Sequence, residues 1–206
     1  MNNDPYIYLR KHAIPDLLCE EIITFFENNK ELQKHGSTIG GIHKNVKDTT
    51  DIYINLNDVK SYSTDIINLI NVIHEELMYH LHEYYKNINM IFTNEYDKLH
   101  KTKLELSGFL IQKYEKGIGR YIYHNDFNIE NNKPRMITFL FYLNDVRVGG
   151  ETEFMSVNKI QPEQGSILLF PSTWTYHHCG NVPISDSKYI ITGWMYADNT
   201  PTENKK

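Results

Sequence analysis

The sequence predicts an α+β protein with a mainly β core: a double-stranded β-helix, or jelly roll, supported by N-terminal helices. Three observations carry this expectation. Apolar residues in the first half recur at helical steps. From residue 104 onward, short runs of β-branched and aromatic residues replace them. Those runs are separated by turn chemistry, and helices first with many short strands after suggest a barrel backed by helices.

Taken in order, Pro15 suits the first turn of a helix over 16–32, with Leu18, Ile22, Phe25 and Phe26 on one side. The stretch 36–58 contains Gly40-Gly41 and many polar residues, which reads as a mobile loop or an ordinary surface connection. A second helix starts after Ser61 or Ser63 as N-cap and runs to about Lys86. Ile66, Ile70, Ile73, Leu77, Leu81 and Tyr84 form its apolar stripe, a face for packing on a sheet. His74, His80 and His82 lie on the same helix without a matching acid pattern, so they read as solvent-facing or packed. Strands are expected over 104–114, 136–143, 166–170 and 189–196. Asn131-Asn132, Asn144-Asp145, Gly149-Gly150 and Pro162–Gly165 supply the turns.

A length of 206 residues suits one domain with a substantial core. The formal charge of -5 and the lack of a Lys/Arg block disfavour a nucleic-acid surface. The polar N-terminus does not resemble a signal peptide, and no apolar run approaches membrane-spanning length. Cys19 and Cys179 fit neither a zinc spacing nor a disulfide framework. A cytoplasmic, reducing compartment with no membrane partner is the expectation. Oligomeric state leaves no mark.

Chemistry concentrates in two segments. Two residues apart on an extended strand, His124 and Asp126 point the same way. His178 can add a third ligand from another strand, and two imidazoles with one carboxylate leave metal positions open, as in non-haem Fe(II) oxygenases. His177 is the neighbouring alternative; on a strand the two would face opposite sides, so only one can serve. Lys188, ten residues past His178, offers a cation for a dicarboxylate cosubstrate. Cys179, between His178 and Gly180, should point away from the metal.

Around these lie Tyr114-x-x-Gly117, Tyr121, Arg135 to Asn144, Gly149-Gly150-Glu151-Thr152-Glu153-Phe154, His178-x-Gly180 and Lys188 to Trp194. In that order and spacing they resemble the prolyl 4-hydroxylase branch of the Fe(II)/2-oxoglutarate dioxygenases, over about Lys103 to Tyr196. The resemblance implies a core over about 103–196, with helical support and a loop over about 1–95. It implies His124, Asp126 and His178 as iron ligands, and Lys188 with Tyr114 and Thr152 on the distal carboxylate of 2-oxoglutarate. It places Tyr121, Arg135 and Trp194 on the substrate side, with Arg135 also counted among the catalytic residues. Fe(II), 2-oxoglutarate and dioxygen are the implied cofactor and cosubstrates, and ascorbate an implied reductant. A proline-containing peptide or protein is the implied partner.

Bland readings stand beside these. Lys188 could be a solvated strand-end lysine, Arg135 could pair with surface acids, and Trp194 could be core. Hydroxylation of another residue or a small molecule, a non-catalytic jelly-roll metal-binding module, and a zinc hydrolase are the rival functions. Only an oxygenase of this kind needs the cation after the last histidine.

Overall fold

The structure, a computed structural model, describes residues 4–89, 104–155 and 159–197. In chain order it runs β1 (Tyr8–Arg10), α1 (Asp16–Asn28), β2 (Lys34–His35), β3 (Lys47–Asp48), β4 (Thr50–Asn55), α2 (Thr64–Asn89), β5 (Leu104–Glu105) and β6 (Gly108–Tyr114). There follow β7 (Arg120–His124), β8 (Ile129–Glu130), β9 (Lys133–Tyr142), β10 (Thr152–Phe154), β11 (Lys159–Ile160), β12 (Ile167–Pro171), β13 (His178–Gly180) and β14 (Lys188–Ala197).

Both helices form where periodicity places them, with adjusted ends. Pro15 is the extended residue before α1 (φ -62, ψ 145) and not part of its first turn. Asn29 (φ -111, ψ 62) leaves the helical region, so α1 stops at Asn28 and Lys30–Leu32 form a separate 3-10 turn. Leu18, Cys19, Ile22 and Phe26 are buried, and Phe25 is half-buried. Ser63, not Ser61, stands immediately before α2. Ile70, Ile73, Leu77, Leu81 and Tyr84 are buried on the α2 stripe, with Ile66 half-buried against the same core. His80 is buried and lies 3.0 Å from the Tyr8 hydroxyl through Nδ1, whereas His74 and His82 are exposed.

Two antiparallel sheets make the jelly roll. The larger has the order β1-β12-β9-β14-β6-β4-β2, with β5 on β14 and β8 on β9; the smaller runs β11-β10-β13-β7-β3. The first half therefore supplies strands to both sheets as well as helical support. The stretch 36–58 is correspondingly not one loop, because β4 pairs along its length with β6. The expected strand over 104–114 divides at residues 106–107, where Ser107 O accepts from Leu56 N–H at 3.0 Å. The boundary expected between about 95 and 103, Lys103 included, lies outside the described residues.

Alternation along the central strands explains the layering. Ile137, Phe139 and Phe141 of β9 and Ile191 and Met195 of β14 pack with α1 and α2 in one core. Leu140 and Tyr142 of β9, Leu168 and Phe170 of β12, and Ile190 of β14 face the small sheet in a second core with Phe154. A sheet covered on both faces needs apolar residues at nearly every position, hence the unbroken run Phe139–Leu143. Toward one end of the inner face that apolar filling gives way to Gln112, Thr138, Lys188 and Thr192, all buried. There the cavity opens. Among the described residues, no helix is long and apolar enough to cross a membrane.

Candidate active site

His124 ends β7 and His178 begins β13, and the two are direct partners in the ladder between those strands. Their ring centroids lie 4.3 Å apart. Asp126 follows two residues after His124. Its Oδ1 is 3.6 Å from His124 Nε2, and its Oδ2 is 3.6 Å from His178 Nε2. The donor atoms of all three lie within 4.8 Å of one another.

Each imidazole is oriented by its own strand. Nδ1 of His124 meets Ile122 O at 2.8 Å, and Nδ1 of His178 meets Tyr176 O at 3.0 Å. A carbonyl only accepts, so both Nδ1 atoms carry a proton and both Nε2 atoms are turned toward Asp126. Thr138 donates to Asp126 Oδ2 at 2.8 Å, and the Thr138 hydroxyl lies 2.9 Å from that of Ser172. Burial alone would raise the Asp126 carboxyl, but the two imidazoles and the Thr138 hydroxyl hold it below its usual value. Burial and neighbouring His178 push His124 down to about 4, so it stays neutral near pH 7. The alternative residue, His177, turns elsewhere: its Nε2 faces Asn125 Nδ2 at 3.5 Å. Cys179 Sγ points to Asn181 Oδ1 at 3.4 Å.

A cavity of about 620 Å³ is lined by these three residues and by Tyr114, Tyr121, Arg135, Thr152, Lys188 and Trp194. Lys188 is 1% exposed. Its Nζ donates to Gly150 O at 2.9 Å and sits 4.0 Å from the Tyr114 ring centroid. Gly149 and Gly150, at φ 74 and 73, make the tight turn that brings this carbonyl inward. No carboxylate among the described residues forms an ion pair with Lys188, and burial lowers its pKa to about 7. Gly180 is required beside it, because a Cβ there would lie 3.0 Å from Tyr114 Cε1. Thr152 is buried, and its Oγ1 accepts from the Tyr142 hydroxyl at 2.7 Å. Tyr121 stacks on His124 with centroids 3.4 Å apart. The Arg135 guanidinium lies 3.5 Å above the Trp194 ring and pairs with Glu130.

Residues 109–196 match the family model of the 2OG-Fe(II) oxygenase superfamily. That stretch, under half of the chain, carries His124, Asp126, His178 and Lys188, and over it the chain is similar to the superfamily. A relative in Arabidopsis thaliana, named probable prolyl 4-hydroxylase 3, is 31% identical over 112 residues, covering 41% of this chain and 38% of that protein. The matched part thus spans under half of this curated relative's length. Among solved structures, the viral collagen prolyl hydroxylase of Paramecium bursaria Chlorella virus-1, described as a 2OG complex, superposes with a TM-score of 0.65 at 18% identity, over 94% of this chain and 97% of that one. A prolyl hydroxylase of Trichoplax adhaerens, in complex with a hypoxia inducible factor peptide fragment, gives a TM-score of 0.69 at 17% identity, covering 95% and 85%. At these identities the structural likenesses establish the shared jelly-roll fold.

A 2OG-Fe(II) oxygenase uses ferrous iron, 2-oxoglutarate and dioxygen, and the donor set here suits them. Two imidazoles and a carboxylate are a facial set for Fe(II). A buried ammonium without a carboxylate suits the distal end of a diacid. Sequence reasoning missed other residues in or beside this cavity. Thr138, Tyr142 and Glu130 sit in strands or a hairpin without any distinguishing spacing. Lys47 and Asp51 form a buried ion pair at 2.9 Å, with Gln112 Nε2 donating to the same Asp51 oxygen at 3.0 Å. Only the folded arrangement of the strands identifies them.

Proposed function

We propose that this protein is an Fe(II)- and 2-oxoglutarate-dependent dioxygenase that hydroxylates proline in a peptide or protein segment. One observation carries the reading: a single cavity is lined both by the His124, Asp126 and His178 cluster and by the buried, carboxylate-free Lys188. The first group would hold the iron. Lys188, Tyr114 and Thr152 would hold the distal carboxylate of the cosubstrate. With iron, 2-oxoglutarate and dioxygen bound, the superfamily's chemistry yields succinate and carbon dioxide while a substrate C–H gains a hydroxyl.

The protein's own residues do the positioning. Lys188 offsets the burial of a carboxylate that would otherwise be costly to desolvate. Thr138 keeps Asp126 aimed at the imidazoles, and Tyr121 keeps the His124 ring in its plane by stacking. Arg135 Nε is a buried donor without a partner, suited to an acceptor of an incoming chain. The relatives' names support proline as the target, and Arg135, Tyr121 and Trp194 form the wall it would meet. Incubation with Fe(II), 2-oxoglutarate and a panel of proline-containing peptides tests the reading. A gain of about 16 Da on proline, one added oxygen, matched by succinate, is expected. No gain dependent on 2-oxoglutarate in any peptide overturns it.

A further inference from the structure

Glu130 closes β8 at the wall of the cavity, and donors from three places meet on its carboxylate. Oε1 accepts from Arg135 Nη2 in a close ion pair and from Asn128 Nδ2 at 3.0 Å. Oε2 accepts from the Tyr196 hydroxyl at 3.0 Å. The hairpin that carries Glu130 is defined by its turn: Asn131 and Asn132 both adopt positive φ (50 and 62), and Glu130 pairs with Lys133. Arg135 and Tyr196 face each other across the β9–β14 ladder.

The guanidinium is consequently held by the Glu130 carboxylate on one edge and by the Trp194 ring on its face, with Asp126 O 3.5 Å from Nη1. Its Nε is left buried and unpartnered. An arginine free at a cavity wall would take a carboxylate in a two-pronged grip. With Glu130 already on that fork, an incoming acid meets a like charge, while a neutral carbonyl still finds the spare N–H.

We propose that Glu130 is a positioning and specificity-determining residue: it sets Arg135 flat against Trp194 to receive a backbone carbonyl of the peptide, and its charge rejects substrates with an acidic residue beside the target proline. This rests on the peptide-hydroxylase reading above. The test compares wild type, Glu130→Gln and Glu130→Asp on matched proline peptides that differ only in a flanking Glu, Gln or Lys. Wild type is expected to favour Lys or Gln over Glu. Glu130→Gln should raise KM for the Gln peptide several-fold with kcat changed less, and shift the Glu-to-Lys ratio of kcat/KM about tenfold toward Glu, the size of one lost charge interaction. Glu130→Asp should keep the wild-type order. A purely structural role would not move the charge preference. Should Glu130→Gln fail to fold, Tyr196→Phe removes one donor to Glu130 and must weaken the same preference. A hydroxylating wild type that prefers the Glu peptide, or an unmoved preference in these variants, overturns the proposal. Wild type that hydroxylates none of the peptides sinks the substrate reading instead, a separable result.

Discussion

An imidazole offers a metal only the nitrogen not already used in a hydrogen bond. In His124 and His178 the backbone takes Nδ1 from the residue two positions earlier, so the same local device aims both rings. His178→Ala or Asp126→Ala should lower metal affinity by more than the roughly 10–100-fold cost of an outer-layer loss. Metal content by elemental analysis, alongside an unchanged circular dichroism spectrum, checks this; full retention of metal would remove the cluster from the mechanism. Lys188 makes a pH prediction. Its pKa, pushed down to about 7, leaves it charged below that pH and neutral above. An anion binds the charged form, so the Kd for 2-oxoglutarate should rise with pH above about 7, by up to about tenfold per unit. The rise ends at the higher pKa of the complex. Titration calorimetry across pH should find this slope in the wild type and a weak, flat profile in Lys188→Met; a flat wild-type profile sinks the assignment. At this scale much was legible. His124 with Asp126 was expected from strand alternation within its surrounding motifs, and His178 over His177 from Gly180 and the ten-residue step to Lys188; the β7–β13 ladder brings those three side chains together. Glu130 was invisible, because an acid before two asparagines reads as an ordinary turn.

Elements were legible wherever a period repeats long enough to exclude alternatives. The α2 stripe is such a case, and Leu77 sits fully buried at its centre. Leu77→Ala should cost about 2–5 kcal/mol, since the sheet beneath cannot collapse into the space. Urea denaturation measures this; a loss below about 1 kcal/mol would mean the helix is loosely seated. Short strands were harder. β3 and β4 passed for loop because Lys47–Asp51 carries too many polar residues for a strand; Lys47 lines the cavity and is buried in an ion pair with Asp51.

Across the whole molecule, the chain crosses from the small sheet at β3 to the large sheet at β4 within a residue. Lys47 lies opposite Tyr121 in the first, and Asp51 opposite Gln112 in the second. Their ion pair, 4% and 8% exposed, therefore ties the two sheets together beside the cavity. Lys47→Met should destabilise by about 3–5 kcal/mol by leaving a buried carboxylate uncompensated, while Lys47→Met with Asp51→Leu should recover most of it. Equal losses in the single and double variants by chemical denaturation would refute the tie. Taken alone, the order of residues along the chain determined the mainly β architecture, its helical backing and the pairing of His124 with Asp126. Those are written in local periodicity, which depends on near neighbours. Which acid steadies Arg135 and which lysine bridges the sheets were decided only by tertiary structure. The paired residues are close in sequence, but Glu130 also meets Tyr196 of β14, and Lys47 and Asp51 lie in different sheets, against β7 and β6; no local pattern encodes those meetings.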